Sequence, residues 1–175
     1  MFRLETGRLI ITEFTPDMAQ AVHKNSLDPD NRRFLPDEVF ETPEEAAETV
    51  RFLISCYGSS SGPRVYPVLL KDGTPVGHVQ AVPMEDGSWE AGYHIGGRYT
   101  GRGYATEACG SFFPAVMEKL GIREIAGICA AENAASRRVL EKCGFSKEYE
   151  GIGDYQGQRR AVCRYVLRSA GSPRE

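Results

Sequence analysis

Polar and apolar residues recur along this chain with two different periods, and the changes of period mark its elements. Over Arg8–Phe14 (RLIITEF) β-branched residues dominate, then stop at Thr15-Pro16-Asp17, where a hydroxyl residue before a proline predicts a helix start. TPEEAAETVRFLISCY repeats the device more strongly. Thr42 is the expected cap, Pro43 the first helical residue and Glu45 the capping-box partner, while Ala46, Val50, Leu53, Ile54 and Tyr57 form one apolar face. Beyond the SSSGP loop, VYPVLL, PVGHVQAV and SWEAGYHI read as strands. Asp72-Gly73 and Asp86-Gly87 between them suit tight turns, so an antiparallel meander is predicted.

Helical spacing returns at Ala105, Ala108, Phe112, Val116 and Leu120 and ends at Gly121, with Pro114 inside, where it should kink or split the helix. EIAGICA (Glu124–Ala130) reads as a buried strand. NAASRRVLEKCGF reads as a short helix capped by Asn133 and ended by Gly144. The last strands form a hairpin hinged around Gly151–Gly157. The order of elements implies an α+β (mixed α/β) fold, a central, mostly antiparallel sheet of about seven strands flanked by helices. One domain is expected over residues 1–168, followed by a flexible tail at 169–175.

Composition narrows the classes. No apolar run approaches the length of a membrane helix and the opening residues lack a signal pattern, so a cytoplasmic protein without a membrane partner is expected. The formal net charge is −3 with scattered basic residues, which argues against nucleic acid. Five cysteines, with no C-x-x-C pair, read as reduced thiols, and no metal site is expected.

Between the meander and the next helix lies GGRYTGRGYATEA (Gly96–Ala108), whose glycines let the backbone approach a ligand just where a helix start leaves N–H groups unpaired. That pattern suits a phosphate. From Gly96 the run G-G-R-Y-T-G-R-G has neither the lysine nor the hydroxyl of a nucleoside-triphosphate loop. Gly101-Arg102-Gly103-Tyr104-Ala105-Thr106 ends in threonine and follows antiparallel strands, unlike a dinucleotide fingerprint.

R-x-x-G-x-G before a helix, here Arg98 to Gly103, resembles the cofactor loop of the GNAT-fold N-acetyltransferases. WEAGYHI before it, Thr106-Glu107-Ala108 after it and NAASRRVLEKCGF some thirty residues on resemble the same family in the same order. ETGRLIITEFT is similar to the opening of the branch related to ribosomal-protein N-terminal (Rim-type) acetyltransferases. The resemblance implies acetyl-CoA as cosubstrate and an amine as acceptor, in a monomer or homodimer. It places the diphosphate on Arg98, Gly101, Arg102, Gly103, Tyr104 and Ala105, and the pantetheine arm on Tyr93, Ile95, Asn133 and Ser136. A non-catalytic acyl-CoA sensor or partner-binding module is the alternative.

An amine must lose a proton before it attacks a thioester. On the strand carrying Trp89–Ile95, alternation puts Glu90 and His94 on one face, and these are the candidate bases. His78 on the neighbouring strand could join them. The tyrosine that many GNAT enzymes use as general acid is replaced by Leu140, so Ser136, Tyr155 or water must substitute.

Overall fold

The computed structural model describes residues 1–170 and holds one eight-stranded sheet, in the order β1-β2-β3-β4-β5-β6-β8-β7. The strands are β1 (Arg3–Glu5), β2 (Leu9–Thr12), β3 (Arg64–Leu70), β4 (Pro75–Pro83), β5 (Trp89–Ile95), β6 (Glu124–Ala130), β7 (Ser146–Tyr155) and β8 (Gln158–Arg168). The helices are α1 (Ala19–Ser26), α2 (Pro29–Phe34), α3 (Pro43–Cys56), α4 (Tyr104–Leu120) and α5 (Ala134–Lys142). Every strand pair is antiparallel except β5 with β6. The strand added to the seven expected is β1, three residues long. Of the expected tail, Ser169 donates its N–H to the Arg123 carbonyl at 2.8 Å, and residues 171–175 lie outside the described residues.

The local signals at caps and turns act as the chemistry dictates, with one exception. Glu45 N donates to Thr42 Oγ1 at 3.2 Å and Thr42 N to Glu45 Oε2 at 3.4 Å, closing the capping box of α3. Asp72 and Asp86 accept the N–H of the residue two ahead, at 2.9 Å in each case, and each is followed by a glycine in the left-handed region. The final hairpin turns on Gln156 and Gly157, with φ of 50° and 72°, the mirror-image turn that matches strand twist. Thr15 is the exception: its hydroxyl makes no cap bond, and Pro16 opens only a 3₁₀ turn before α1. Pro114 does not split α4, which runs unbroken because the proline lies on its exposed side and removes only the bond to Gly110.

Alternation along β3 assigns the two faces. Tyr66 and Val68 point into the main core with Val79, Ala91, Phe112 and Phe113. Val65 points the other way, into a smaller core with Phe14 and Val50 under α1 and α3. Phe112 and Phe113 are fully buried and meet edge to face, each worth about 1.5–3 kcal/mol of burial. Thus α4 covers one face, α1 and α3 cover the other, and β5 runs between both layers.

Candidate active site

The parallel pair β5–β6 is joined only at Glu90 with Ala126 and Ala91 with Gly127, after which the strands part. On its other side β5 stays zipped to β4 as far as Gly77 and Ile95. Gly96 N donates to Val76 O at 2.8 Å, so alternation turns the N–H and C=O groups of Tyr93 and Ile95 away from β4 and into the gap. A backbone edge is thereby exposed inside a sheet.

The gap opens onto the glycine-rich loop. Gly101 and Gly103 have φ of 75° and 80°, a region open to glycine at no steric cost, and Gly103 is the N-cap of α4 without any side-chain cap bond. The amides of Tyr104, Ala105 and Thr106 therefore have no partner within the helix, and the helix dipole makes the same spot electropositive. The loop is pinned from behind. Glu107 accepts from Thr6 Oγ1 at 2.6 Å, from Arg8 N at 2.8 Å and from Arg8 Nε at 2.6 Å. Arg8 Nη1 in turn holds the Arg102 carbonyl at 2.7 Å. Arg98 and Arg102 themselves are exposed.

Gap and loop form one cavity of about 520 Å³. Its walls include Tyr93, His94, Ile95, Gly101, Gly103, Tyr104, Ala105, Asn133, Ser136 and Tyr155, so most of the expected site residues converge on it. Glu90 does not line it; it sits half-buried farther down β5 on the His94 face. Asn133 caps α5, its Oδ1 accepting the Ser136 N–H at 3.1 Å. Leu140 is 3% exposed and packs on β6, where a β-carbon at Gly127 would come within 3.0 Å of it; the missing side chain makes its room.

The His94 face collects polar groups from several elements. The register sets His78 opposite His94 and Gln80 opposite Gly92. Gln80 fills the space over Gly92, whose β-carbon would lie 2.6 Å from Gln80 Nε2. Glu38, in the 3₁₀ turn after α2, accepts from Gln80 Nε2 at 3.0 Å and lies 3.2 Å from His78 Nε2. Asp28, just before α2, accepts the Gly97 N–H and lies 3.6 Å from His94 Nε2. Neither acid was singled out as a site residue from sequence, because nothing local ties residue 28 or 38 to a strand 40 residues or more away.

These neighbours set the protonation states. Burial, with His78 alongside, pushes His94 down to about 4 against the pull of Glu38 and Asp28. Burial and then the Glu38 charge raise Glu90 above the usual carboxylate range. Burial alone would raise Glu38 too, but hydrogen bonding and charge from His78, with the Gln80 bond, hold it below that range. Burial raises both Tyr93 and Tyr155, so each phenol keeps its proton at neutral pH. Burial also lifts Cys129 and Cys143 to about 11.

The low value for His94 makes stability depend on pH. Below 6.5 the unfolded chain binds a proton that the folded chain refuses down to about 4, so stability falls as pH drops through that window, by up to about 3 kcal/mol. The raised Glu90 works in the opposite direction just above 4.5 and trims the loss. Urea unfolding at pH 7 and pH 4.5 is expected to show a larger loss for the native chain than for His94→Gln. Equal losses would remove His94 as the cause.

The sequence pattern of the acetyltransferase (GNAT) domain matches residues 8–146. The chain therefore belongs to the GNAT acetyltransferase family, and it is an acyltransferase enzyme. It is 28% identical over 147 residues to the N-acetyltransferase YnaD of Bacillus subtilis, whose activity is itself uncharacterised; the match spans 83% of each chain. A GNAT-family acetyltransferase structure from Bacillus anthracis superposes with a TM-score of 0.81 at 24% identity, over 95% of this chain and 98% of that one. RimL, a ribosomal L7/L12 α-N-protein acetyltransferase solved with coenzyme A, does so with a TM-score of 0.80 at 17% identity, over the same shares. Among the described residues, no helix is long and apolar enough to cross a membrane.

Proposed function

We propose that the enzyme moves the acetyl group of acetyl-CoA directly to a primary amine. The observation that carries this is the joining of two sets of unpartnered amides, those of the Gly101–Thr106 loop and those of Tyr93 and Ile95, along one cavity. The cofactor fits these residues: the loop amides and the α4 dipole suit a diphosphate, and bare glycines at 101 and 103 leave it room. Tyr93 and Ile95 offer a strand edge to an amide-bearing arm, with Asn133 and Ser136 on the opposite wall. When bound, acetyl-CoA supplies an activated acyl thioester.

The chain's own groups do the rest. The Ile95 N–H faces the gap, where it can donate to an oxygen that gains negative charge. His94 is neutral at pH 7 and accepts a hydrogen from the incoming amine. Glu90, a stronger base than an ordinary glutamate, lies farther down the same strand face and receives the proton through water. A leaving thiolate has an ordinary pKa near 8.5 and departs without obligatory protonation. Ser136 and Tyr155 are the hydroxyls in the cavity wall that can give it a hydrogen. Thiols held near 11 stay protonated, which disfavours a covalent acyl-enzyme on Cys129 or Cys143.

Thiol release from acetyl-CoA, followed across amines and N-terminal peptides, tests the reading. Release that requires both acetyl-CoA and an amine is expected. Tight coenzyme binding with no release on a broad panel would replace the transferase by a sensor.

A further inference from the structure

Asp28-Pro29 is written as a helix start, yet Asp28 does not cap its helix. It occupies the N-cap position of α2, where an aspartate side chain ordinarily accepts an amide of the first turn, and it makes no such bond. Its carboxylate is turned toward the end of β5 instead, where Oδ2 accepts the Gly97 N–H and lies 3.6 Å from His94 Nε2. Forgoing the cap costs α2 about 1 kcal/mol. The carboxylate serves β5 rather than its own helix.

The first two glycines of the loop make room for this. A β-carbon at Gly96 would lie 2.6 Å from Asn25 Oδ1, and one at Gly97 would lie 3.1 Å from Asp28 Oδ1, so a side chain at either position would push back the end of α1 or the carboxylate itself. Unlike Gly101 and Gly103, neither adopts a positive φ. Space for Asn25 and Asp28, not backbone conformation, is what keeps them bare.

Among the charged and titratable groups of the described residues around His94, Asp28 alone has an oxygen available to the ring. Glu38 pulls on the His94 charge more strongly, but its Oε2 faces His78 Nε2 and its Oε1 accepts from Gln80 Nε2. His78, whose ring lies 6.0 Å from that of His94, has its own Nε2 committed to Glu38. Glu90 is four residues back on the strand, about 13 Å along it. The side chains of Asp28 and His94 are 24% and 12% exposed, so water screens the pair only partly. A neutral imidazole carries one hydrogen, and a carboxylate beside Nε2 draws it there, which leaves Nδ1 as the acceptor. His94 lines the cavity and neither of its nitrogens is sealed: the one sealed side-chain nitrogen or oxygen without a partner, among the described residues, is Asn31 Oδ1.

We propose that Asp28 is a positioning residue for acetyl transfer, its carboxylate holding the His94 hydrogen on Nε2 so that Nδ1 receives the proton of the incoming amine. The inference rests on His94 serving an acetyltransferase. As the amine nitrogen bonds to the acetyl carbon and the carbon–sulfur bond breaks, sulfur leaves with the electron pair and the surplus proton on nitrogen passes to Nδ1. The imidazolium so formed is stabilised by the Asp28 carboxylate. A separation of 3.6 Å is long for a hydrogen bond and is of the kind that tightens in a substrate complex.

Nitrogen-15 NMR of the histidine rings reads the tautomer without turnover. The chain has three histidines, and the signal lost in His94→Gln is that of His94. At pH 7.5 its hydrogen is expected on Nε2. In Asp28→Asn, which keeps the shape and still accepts the Gly97 N–H, the ratio of the Nε2–H to the Nδ1–H form should fall by at least about fivefold. With an amine that supports thiol release, Asp28→Asn should lower kcat by about tenfold or more and leave the KM for acetyl-CoA unchanged. In a His94→Gln background the same substitution should change kcat by less than about twofold, which a merely structural role would not produce. A native hydrogen on Nδ1, an unchanged tautomer or undiminished kcat in Asp28→Asn, or losses that simply multiply in the double variant would overturn the proposal. A tautomer that depends on Asp28 as expected, with no thiol release from any amine, would count against the transferase reading and leave the placement of the His94 hydrogen standing.

Discussion

A Gly103→Val chain is expected to fold but to lose most of its affinity for coenzyme A. Gly103 has φ of 80°, and a side chain there strains the backbone by about 1–2 kcal/mol, more for a branched one. The added β-carbon also comes within 3.3 Å of Arg8 Nη2, on the arginine that holds the Arg102 carbonyl. Relieving either conflict rotates the peptide units whose amides open α4. The core beneath, Ala108, Cys109 and Phe112, is untouched, so the melting temperature should drop by only about 3–8 °C. Titration with coenzyme A is expected to show affinity weakened by about a hundredfold or more. Unchanged affinity would place the cofactor elsewhere.

Gly77→Ala should do the reverse damage, destroying the platform rather than the grip. A β-carbon at Gly77 would lie 2.0 Å from the His94 carbonyl oxygen and 2.9 Å from Ile95 Cα, both backbone atoms that cannot swing aside. The β4–β5 ladder must open at the residues that point His94 one way and the Ile95 amide the other. The expected loss is about 3 kcal/mol or more, with thiol release falling in parallel. Gly58→Ala is the control: its β-carbon meets nothing within 4 Å, and stability should change by less than about 0.5 kcal/mol. Denaturant midpoints for the two variants decide the matter, and a mild Gly77→Ala would mean the strands are looser than their register indicates.

What could be read from the chain was whatever a few neighbouring residues decide. Thr42, Pro43 and Glu45 close their own capping box, Asp72 and Asp86 bend their own turns, and the glycines at 101 and 103 need no distant partner to show that the backbone must be bare. The amphipathic spacing of α3 and α4 is local in the same sense. Asp28-Pro29 carries the same start signal as Thr15-Pro16 and Thr42-Pro43, yet α2 is six residues long, too short for any period to emerge. The grouping of Glu38 with His78 and Gln80 depends on how a 3₁₀ turn falls across β4, and pairings at that separation leave no trace in a single sequence. Leu140 illustrates both cases: its lack of a hydroxyl was plain, but the bare Gly127 beneath it emerged only with the sheet.

The parting of β5 from β6 has a consequence for how this molecule can change over time. A grip made of peptide groups is indifferent to the identity of the residues that supply them, provided the glycines remain, so one half of the cavity tolerates drift. The other half is lined by the side chains of α2 and α5, where one replacement alters shape and charge together. Such an architecture lets an old chemistry acquire new clients without being rebuilt.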